Sequence, residues 1–395
     1  MAPELMADRP TRLLMLSHYF DQRRGGIELV AAALAGELAR LGFAPLWLAT
    51  GDAGDDGQHS GCRRLSLGAS EMVEKLLKIP YPILLPSAWR AIFRETARSD
   101  VVLVHDALYL TSIAAYCAAR AHRKPLIAVQ HIGFVPYRSS FLRGLMRLAN
   151  RWIAAPLLCG AYQVIFISQL TMQHFAQLRW HRAPALVFNG VDTGTFSPVE
   201  GLAERQSTRQ ALGLPAEAPI ALFVGRFVEK KGLHVLERIA RMRADIVFAF
   251  AGQGPLDPRC WGLPNVQVFS GLSGPTLAPL YRASDVLLLP SAGEGFPLVV
   301  QEALACGLSV ICGTDTARAD SQAAEFLDGV DVDLANPGRT AEAFSQGLTR
   351  VLARRQSAAE RRERFAFVTE RYSWERSAAG YASILRGAVL TSAVL

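Results

Sequence analysis

The sequence predicts an α/β protein of two doubly wound, parallel-sheet (Rossmann-like) domains facing one another across a cleft, and three observations carry that reading. Short apolar runs of strand length alternate with amphipathic runs of helix length through both halves of the chain. At 395 residues the chain is too long for one ordinary core and suits two domains of roughly 150–200 residues each. The alternation fails once, over Phe196 to Gln206, where Ser197-Pro198 and scattered polar residues mark the linker. The expected domains are therefore 1–195 and 196–373, leaving a last helix-like segment over 374–395.

In the first half the expected strands are Arg12 to Ser17, Leu46 to Thr50, Val101 to Val104, Leu126 to Gln130, Val164 to Ile167 and Ala185 to Phe188. Helices fill the gaps, for example Glu28 to Leu41 and Leu108 to Ala119. In the second half the strands are Ile220 to Val224, Ile246 to Ala251, Val266 to Phe269, Val286 to Leu289, Ser309 to Ile311 and Val330 to Leu334. Their helices include His234 to Met242, Leu277 to Ala283, Leu298 to Ala305 and Ala341 to Ala353. No short-period repeat or low-complexity tract is present.

Half of the residues are hydrophobic and 19% are charged, a globular composition. No run of 18 apolar residues occurs, and Met1 to Pro10 lacks the apolar core of a signal peptide, so a cytoplasmic protein is expected. The six cysteines, at 62, 117, 159, 260, 306 and 312, have neither metal-ligand nor disulfide-like spacing and read as reduced core residues. The net charge of +7 is uneven: between Gly61 and Arg182 there are 16 Lys and Arg against 5 Asp and Glu. Within that stretch Tyr137 to Ile153 reads as a helix with Arg143, Arg147 and Arg151 on one stripe and Phe141, Leu142, Leu145, Met146, Leu148 and Trp152 for apolar contact. A second basic and apolar stretch runs from Lys75 through Ile83-Leu84-Leu85 to Trp89, Arg90, Arg94 and Arg98. Such surfaces suit anionic lipid headgroups, which would make the protein peripheral on the inner face of the membrane; a core-packed helix with a solvated basic face has the same pattern. Nucleic acid is not expected, because no recognition-helix or aromatic-interleaved motif accompanies the charge.

The chemistry concentrates where strands end, the edge at which open α/β sheets bind ligands. Glu294 and Glu302 bracket Gly295-Phe296-Pro297-Leu298-Val299-Val300-Gln301, two carboxylates across a turn that opens a helix. Val224-Gly225-Arg226-Phe227-Val228-Glu229-Lys230-Lys231-Gly232 follows a strand and precedes a helix, placing Arg226 and Lys231 as two cations near free N–H donors, which is what a diphosphate needs. A solvated lysine pair is the plainer reading of Lys230 and Lys231. Gly25-Gly26 follows the first strand, where backbone can approach a phosphate or sugar, although loops need glycine anyway. His105-Asp106 and His131 end strands in the same half; a histidine there can hydrogen-bond a sugar hydroxyl or move a proton, and His105 can equally cap or pack. Gly252-Gln253-Gly254-Pro255 lacks the last glycine of a dinucleotide fingerprint and reads as a loop lining a base pocket. Asp331-Val332-Asp333 has no third ligand in sequence, so no metal is expected, and neither a nucleophile elbow nor a P-loop occurs.

Taken together, the chain resembles a retaining nucleotide-sugar glycosyltransferase of family 4, with the two-domain GT-B fold. The resemblance covers nearly the whole length and is strongest in Val224 to Glu237, in Asn189-Gly190-Val191-Asp192 with Phe196, and in Tyr281 to Ile311. It implies that Arg226 and Lys231 hold the donor diphosphate, Glu302 the ribose hydroxyls and Glu294 the transferred sugar or the reacting centre, with no metal or other cofactor. The loop Gly295, Phe296, Pro297, Leu298 and Val299 would offer backbone N–H groups, with Gly252 beside it. His131 would approach sugar and acceptor, Gly25 and Gly26 match the first-loop glycines, Asp285 is a structural family position, and Tyr372-Ser373-Trp374-Glu375 opens a helix over 374–395 that crosses back to the N-terminal domain. One departure stands out: Ser321-Gln322-Ala323-Ala324-Glu325 occupies the place of a Gly-Gly-x-Pro-Glu turn near the nucleotide. The implied partners are a nucleoside-diphosphate-sugar donor, a glycan or lipid-linked acceptor hydroxyl and an anionic membrane surface, in lipid-linked glycan, polysaccharide or glycolipid synthesis. A catalytically silent sugar-nucleotide or lipid-binding partner, an epimerase and a phosphorylase are the alternatives on this architecture.

Overall fold

The computed structural model describes residues 9–23, 25–53, 61–70, 72, 81–133, 140–199, 201–354 and 356–392, without the side chains of 140–143. The chain divides into two compact units: the described residues of Met1–Gly133, Ser140–Gly190 and Trp374–Leu395 form the first, and Val191–Ser373 belongs to the second.

The strands of the first unit are β1 Thr11–Tyr19, β2 Phe43–Thr50, β3 Arg63–Leu67, β4 Ala69–Ser70, β5 Ile83–Leu84, β6 Val101–His105, β7 Leu126–Gln130, β8 Gln163–Phe166 and β9 Ala185–Leu186. Among the described residues they form a parallel sheet in the order β3-β2-β1-β6-β7-β8-β9, with β4 and β5 as a separate antiparallel pair. Alternation along β1 sends Leu13 and Met15 to one face and Leu14 and Leu16 to the other. Helices Gly26–Arg40 and Trp374–Ser392 cover the first face, where Leu34, Leu38, Tyr381 and Leu385 pack on Leu13, Met15 and Trp47. Helices Pro86–Arg98, Leu110–Ala121 and Ala155–Gly160 cover the second. Burial on both faces is why these strands are continuous apolar runs.

The second unit holds β10 Ile220–Val224, β11 Val247–Ala251, β12 Val266–Phe269, β13 Val286–Leu289, β14 Ser309–Gly313 and β15 Leu327–Val330. They form a parallel sheet in the order β12-β11-β10-β13-β14-β15. In both sheets the strand order reverses beside the first strand, between β1 and β6 and between β10 and β13. Successive crossovers leave in opposite directions at these two places, opening a crevice at the carboxyl edge.

Three expectations shift. The last strand is Leu327–Val330 and not 330–334, because Asp331 Oδ1 accepts from Thr314 Oγ1 at 2.7 Å and Asp333 closes a turn by accepting from Ala335 N at 2.9 Å. The edge strand β3 was not anticipated, since Arg63 and Arg64 interrupt its apolar pattern. The boundary falls at 190/191 and not 195/196, and described residues of the expected linker are packed or helical. Val191 N donates to Tyr372 O at 2.7 Å, Phe196 is buried edge-on against Tyr281, and 202–206 already belong to helix Leu202–Ala211. Asp285 ties that helix down: its Oδ1 meets Arg205 at 2.6 Å, and its Oδ2 meets Arg209 and Ile220 N, each at 2.8 Å. The cysteines also divide, Cys62, Cys306 and Cys312 being buried whereas Cys117 and Cys260 are exposed.

Candidate active site

Because β10 and β13 are neighbours, the loops that follow them meet. Ala292 N donates to Lys230 O at 3.1 Å, and Gly232, at φ +76°, lies so close to Pro290 O that a Cβ would overlap it. This contact sets Lys231 Nζ 2.8 Å from Glu294 Oε2, with Lys230 Nζ 3.8 Å from Oε1. Burial works to raise the Glu294 carboxyl, but Lys231, Lys230 and Arg226 together hold it below the usual carboxylate range. Glu294 is thus ionised at neutral pH, suited to accept hydrogen bonds and not to deliver a proton. Arg226 is exposed on the same loop, and Gly252, at φ +153°, packs its backbone on Gly225 O. Phe227 N donates to Gln253 O at 2.9 Å, so the loop after β11 is knitted to the cationic loop.

Glu302 lies one turn into helix Leu298–Ala305, whose N-cap is Pro297 and whose start carries no side-chain cap. Its Oε2 accepts from Tyr281 Oη at 2.7 Å; burial nevertheless pushes the carboxyl up to about 7. Gly295, Pro297, Leu298 and Val299 are half-buried, whereas the Phe296 ring is 2% exposed and packs on Tyr372, 5.4 Å between centroids. Phe296 can therefore serve a ligand only through its backbone. Tyr281 was not singled out as a partner for Glu302; its place 21 residues upstream gave no local signal.

In the first unit a second polar group gathers at the other switch point. His105 Nδ1 lies 2.9 Å from His131 Nε2, and both rings are buried. Asp106, at φ +61°, accepts the backbone N–H groups of His131 and Ile132 at 3.1 and 3.3 Å. Desolvation pushes Asp106 up to about 7 against those hydrogen bonds, lowers His105 to about 3 and holds His131 well below the ordinary histidine range. His18 stacks on Tyr109 at 3.8 Å, and its Nε2 is 3.0 Å from Glu28 Oε1. Gly25 caps helix Gly26–Arg40, and the Glu28 carboxylate occupies the space a side chain at Gly25 would need; a side chain at Gly26 would meet nothing. The sequence reading missed His18 and Glu28, although His18 also sits near a strand end.

The remaining candidates separate. Arg147 and Arg151 are exposed, with Leu145 51% and Trp152 66% exposed beside them, while Ala154 at the end of this segment is buried; residues 137–139 and the side chains of Phe141, Leu142 and Arg143 lie outside the described residues. By contrast Pro86–Arg98 buries Ala88 and Ile92 while Arg90, Arg94 and Arg98 face solvent, and Lys75 lies outside the described residues. In the altered loop, Ser321 and Glu325 are exposed, while the preceding Asp320 is fully buried and accepts from Arg371 and Tyr372 Oη. Among the described residues no group of three or more His, Cys, Asp or Glu side chains is placed to hold a metal, and no helix is long and apolar enough to cross a membrane.

Two parallel-sheet units, with polar groups gathered at each switch point and a cationic strand–turn–helix loop at one, have the make-up of the GT-B fold. Family models match residues 24–195, as Glycosyltransferase Family 4, and residues 204–367, as Glycosyl transferases group 1. The chain belongs to this glycosyltransferase family. A D-inositol 3-phosphate glycosyltransferase of Geodermatophilus obscurus is 30% identical over 342 residues, 77% of this chain and 71% of that one. Another from Thermomonospora curvata is 34% identical over 172 residues, 37% of this chain but only 40% of the relative. The GDP-mannose-dependent alpha-(1-6)-phosphatidylinositol monomannoside mannosyltransferase of Mycolicibacterium smegmatis is 26% identical over 376 residues, covering 83% and 91%. Among solved structures, sucrose-phosphate synthase from Thermosynechococcus elongatus superposes with a TM-score of 0.75 at 21% identity, over 95% of this chain and 98% of that one. Anabaena HepE in complex with UDP gives 0.72 at 18%, over 95% and 100%.

Proposed function

We propose that the protein transfers a sugar from a nucleoside diphosphate to an acceptor hydroxyl with retention of anomeric configuration, without a metal, in glycolipid or related glycan synthesis. The observation that carries this reading is the Lys231–Glu294 pair at the β10/β13 switch point, with Arg226 and Lys230 beside it. Negative charge grows on the departing diphosphate, and fixed cations with helix N–H groups stabilise it best where water is scarce. Arg226 and Lys231 take that role, assisted by backbone N–H groups from Gly295 to Val299, and the leaving phosphate takes the acceptor's proton. Glu302 takes the ribose hydroxyls and Glu294 the transferred sugar, an ionised carboxylate being a strong acceptor for hydroxyl donors. Gly252 and Gly25 admit the donor's backbone contacts, and His131 hydrogen-bonds a substrate hydroxyl. Relatives that act on inositol phosphate and on a phosphatidylinositol mannoside, and the UDP complex of HepE, support the donor and acceptor classes.

Purified protein is offered a panel of nucleotide-sugars with and without inositol-phosphate and lipid-linked acceptors, and nucleotide release is followed. Release that requires an acceptor is expected; binding without turnover across the panel would favour the silent-partner reading. Lys231→Ala and Glu302→Ala should each lower kcat by at least about 10²–10³ with the fold intact, and wild-type turnover in either would refute the assignment. Leu145, Leu148, Trp152 and Ile153 exposed beside Arg147 and Arg151 support an anionic membrane as the acceptor surface. Co-sedimentation with phosphatidylglycerol vesicles at low salt tests this, and no binding there removes the membrane from the scheme.

A further inference from the structure

We infer that His105 is a positioning residue that fixes His131 in its Nδ1–H tautomer, making His131 a hydrogen-bond donor to a substrate hydroxyl and not a general base. The inference rests on the substrate role proposed for His131 and decides between the two kinds of chemistry open to it.

The two rings share one hydrogen bond, His105 Nδ1 to His131 Nε2 at 2.9 Å, and both are buried. Burial disfavours charge on either, and the neighbouring His18 adds to the effect, so each ring is neutral and carries one proton. Only two arrangements then satisfy the shared bond. In one, His131 donates from Nε2 and His105 holds its own proton on Nε2. In the other, His105 donates from Nδ1, and His131 holds its proton on Nδ1. His105 Nε2 decides between them, because it is fully buried and has no hydrogen-bond partner. A buried N–H without an acceptor is rarer and more costly than a lone pair without a donor. His18 does not relieve it, since its Nε2 is engaged by Glu28 and its Nδ1 is likewise without a partner.

The second arrangement is therefore the stable one. His131 Nε2 spends its lone pair on His105, which leaves Nδ1–H as the only ring group able to meet a ligand. Asp106 holds the other end of the residue by accepting the His131 and Ile132 backbone N–H groups, so ring and backbone are fixed from the same strand end. Catalysis by His131 as a base would require a free lone pair, and this network leaves none.

The test uses the 395-residue chain with ¹⁵N-labelled histidine, in which the His131 signals are assigned by their loss in His131→Gln. Between pH 6 and 8, His131 Nδ1 is expected to show the shift of a protonated ring nitrogen and Nε2 that of an unprotonated one; the reverse pattern overturns the inference. His105→Asn places an amide N–H near the original donor and should keep both the tautomer and transfer close to wild type. His105→Leu removes the donor and should release His131 to a tautomer mixture, with kcat/KM lower by about tenfold. An unchanged tautomer and unchanged transfer in His105→Leu would overturn the role of His105. Full activity in His131→Gln would instead sink the substrate role of His131, and the wild-type spectrum would still judge the histidine pair on its own.

Discussion

Glu302 shows how burial of a single carboxyl couples stability to pH. Its burial beside Tyr281 raises it to about 7, whereas in the unfolded chain it titrates near 4.5. The folded protein therefore binds more protons between those values, and stability falls as pH rises through that window. Below pH 4.5 the cost is absent, and above 7 it is complete. Glu302→Gln removes the charge and keeps an acceptor for Tyr281, so its advantage over wild type should grow from pH 5 to pH 8 and reach about 1–3 kcal/mol. Denaturant unfolding at the two pH values checks this, and an equal difference at both would contradict it. In the ribose role proposed for Glu302, hydroxyl donors favour the ionised form, so nucleoside-diphosphate affinity of the wild type should strengthen from pH 6 to pH 8. Titration calorimetry of wild type and Glu302→Gln reads the effect, which a parallel pH response in the variant would rule out. Glu294 behaves differently with the same side chain, because Lys231 and Lys230 outweigh its burial and keep it ionised throughout.

At the scale of elements, the loop after β10 is held by one close approach. Gly232→Ala would drive a Cβ into Pro290 O at a left-handed backbone angle, so the β10 and β13 loops must part. The expected cost is about 1–3 kcal/mol of stability, and Lys231 moves away from Glu294 with a loss of nucleotide affinity that exceeds it in consequence. Wild-type affinity with lowered stability would show that the loop contact does not position the lysine. The loops were legible in the sequence because each follows an apolar strand at once and is defined by local residues, as with Val224-Gly225-Arg226 and Leu289-Pro290. Helix Leu298–Ala305 was legible to the residue, since Gly307 stops it. What could not be read depends on pairings across long stretches of chain. Tyr281 with Glu302, and Asp320 with Arg371 and Tyr372, are brought together by the packing of elements, which periodicity does not encode; His18 and Glu28 are only ten residues apart, but their contact depends on the path of the loop between strand and helix. Likewise β3 hid behind Arg63 and Arg64, and 331–334 looked like strand because Val332 and Leu334 alternate with aspartates whose turn contacts appear only after folding.

For the whole molecule, the distribution of residues between the units is unequal in a way that can be tested. Arg226, Lys230, Lys231, Tyr281, Glu294 and Glu302 all lie within Val191–Ser373, an unbroken stretch with its own six-stranded sheet. The first unit is discontinuous, because helix Trp374–Ser392 supplies Ala378, Tyr381, Ala382 and Leu385 to the core that Leu13, Met15 and Trp47 line. Gly190 and Trp374 also meet so closely that a side chain at 190 would strike the indole. A chain ending at Ser373 leaves that core face uncovered, and each large apolar side chain so exposed forfeits about 1.5–3 kcal/mol, enough in sum to exceed the stability of an ordinary domain. The fragment 191–373 should therefore fold and bind a nucleoside diphosphate without transferring sugar, while 1–190 alone should not fold. Adding the missing helix to the second fragment, as a fusion of 1–190 with 374–392, should restore cooperative unfolding. Circular dichroism and calorimetry on the three proteins decide the matter: a folded 1–190, or a folded 191–373 that fails to bind nucleotide, would show that the donor residues and the crossing helix do not divide the labour in this way.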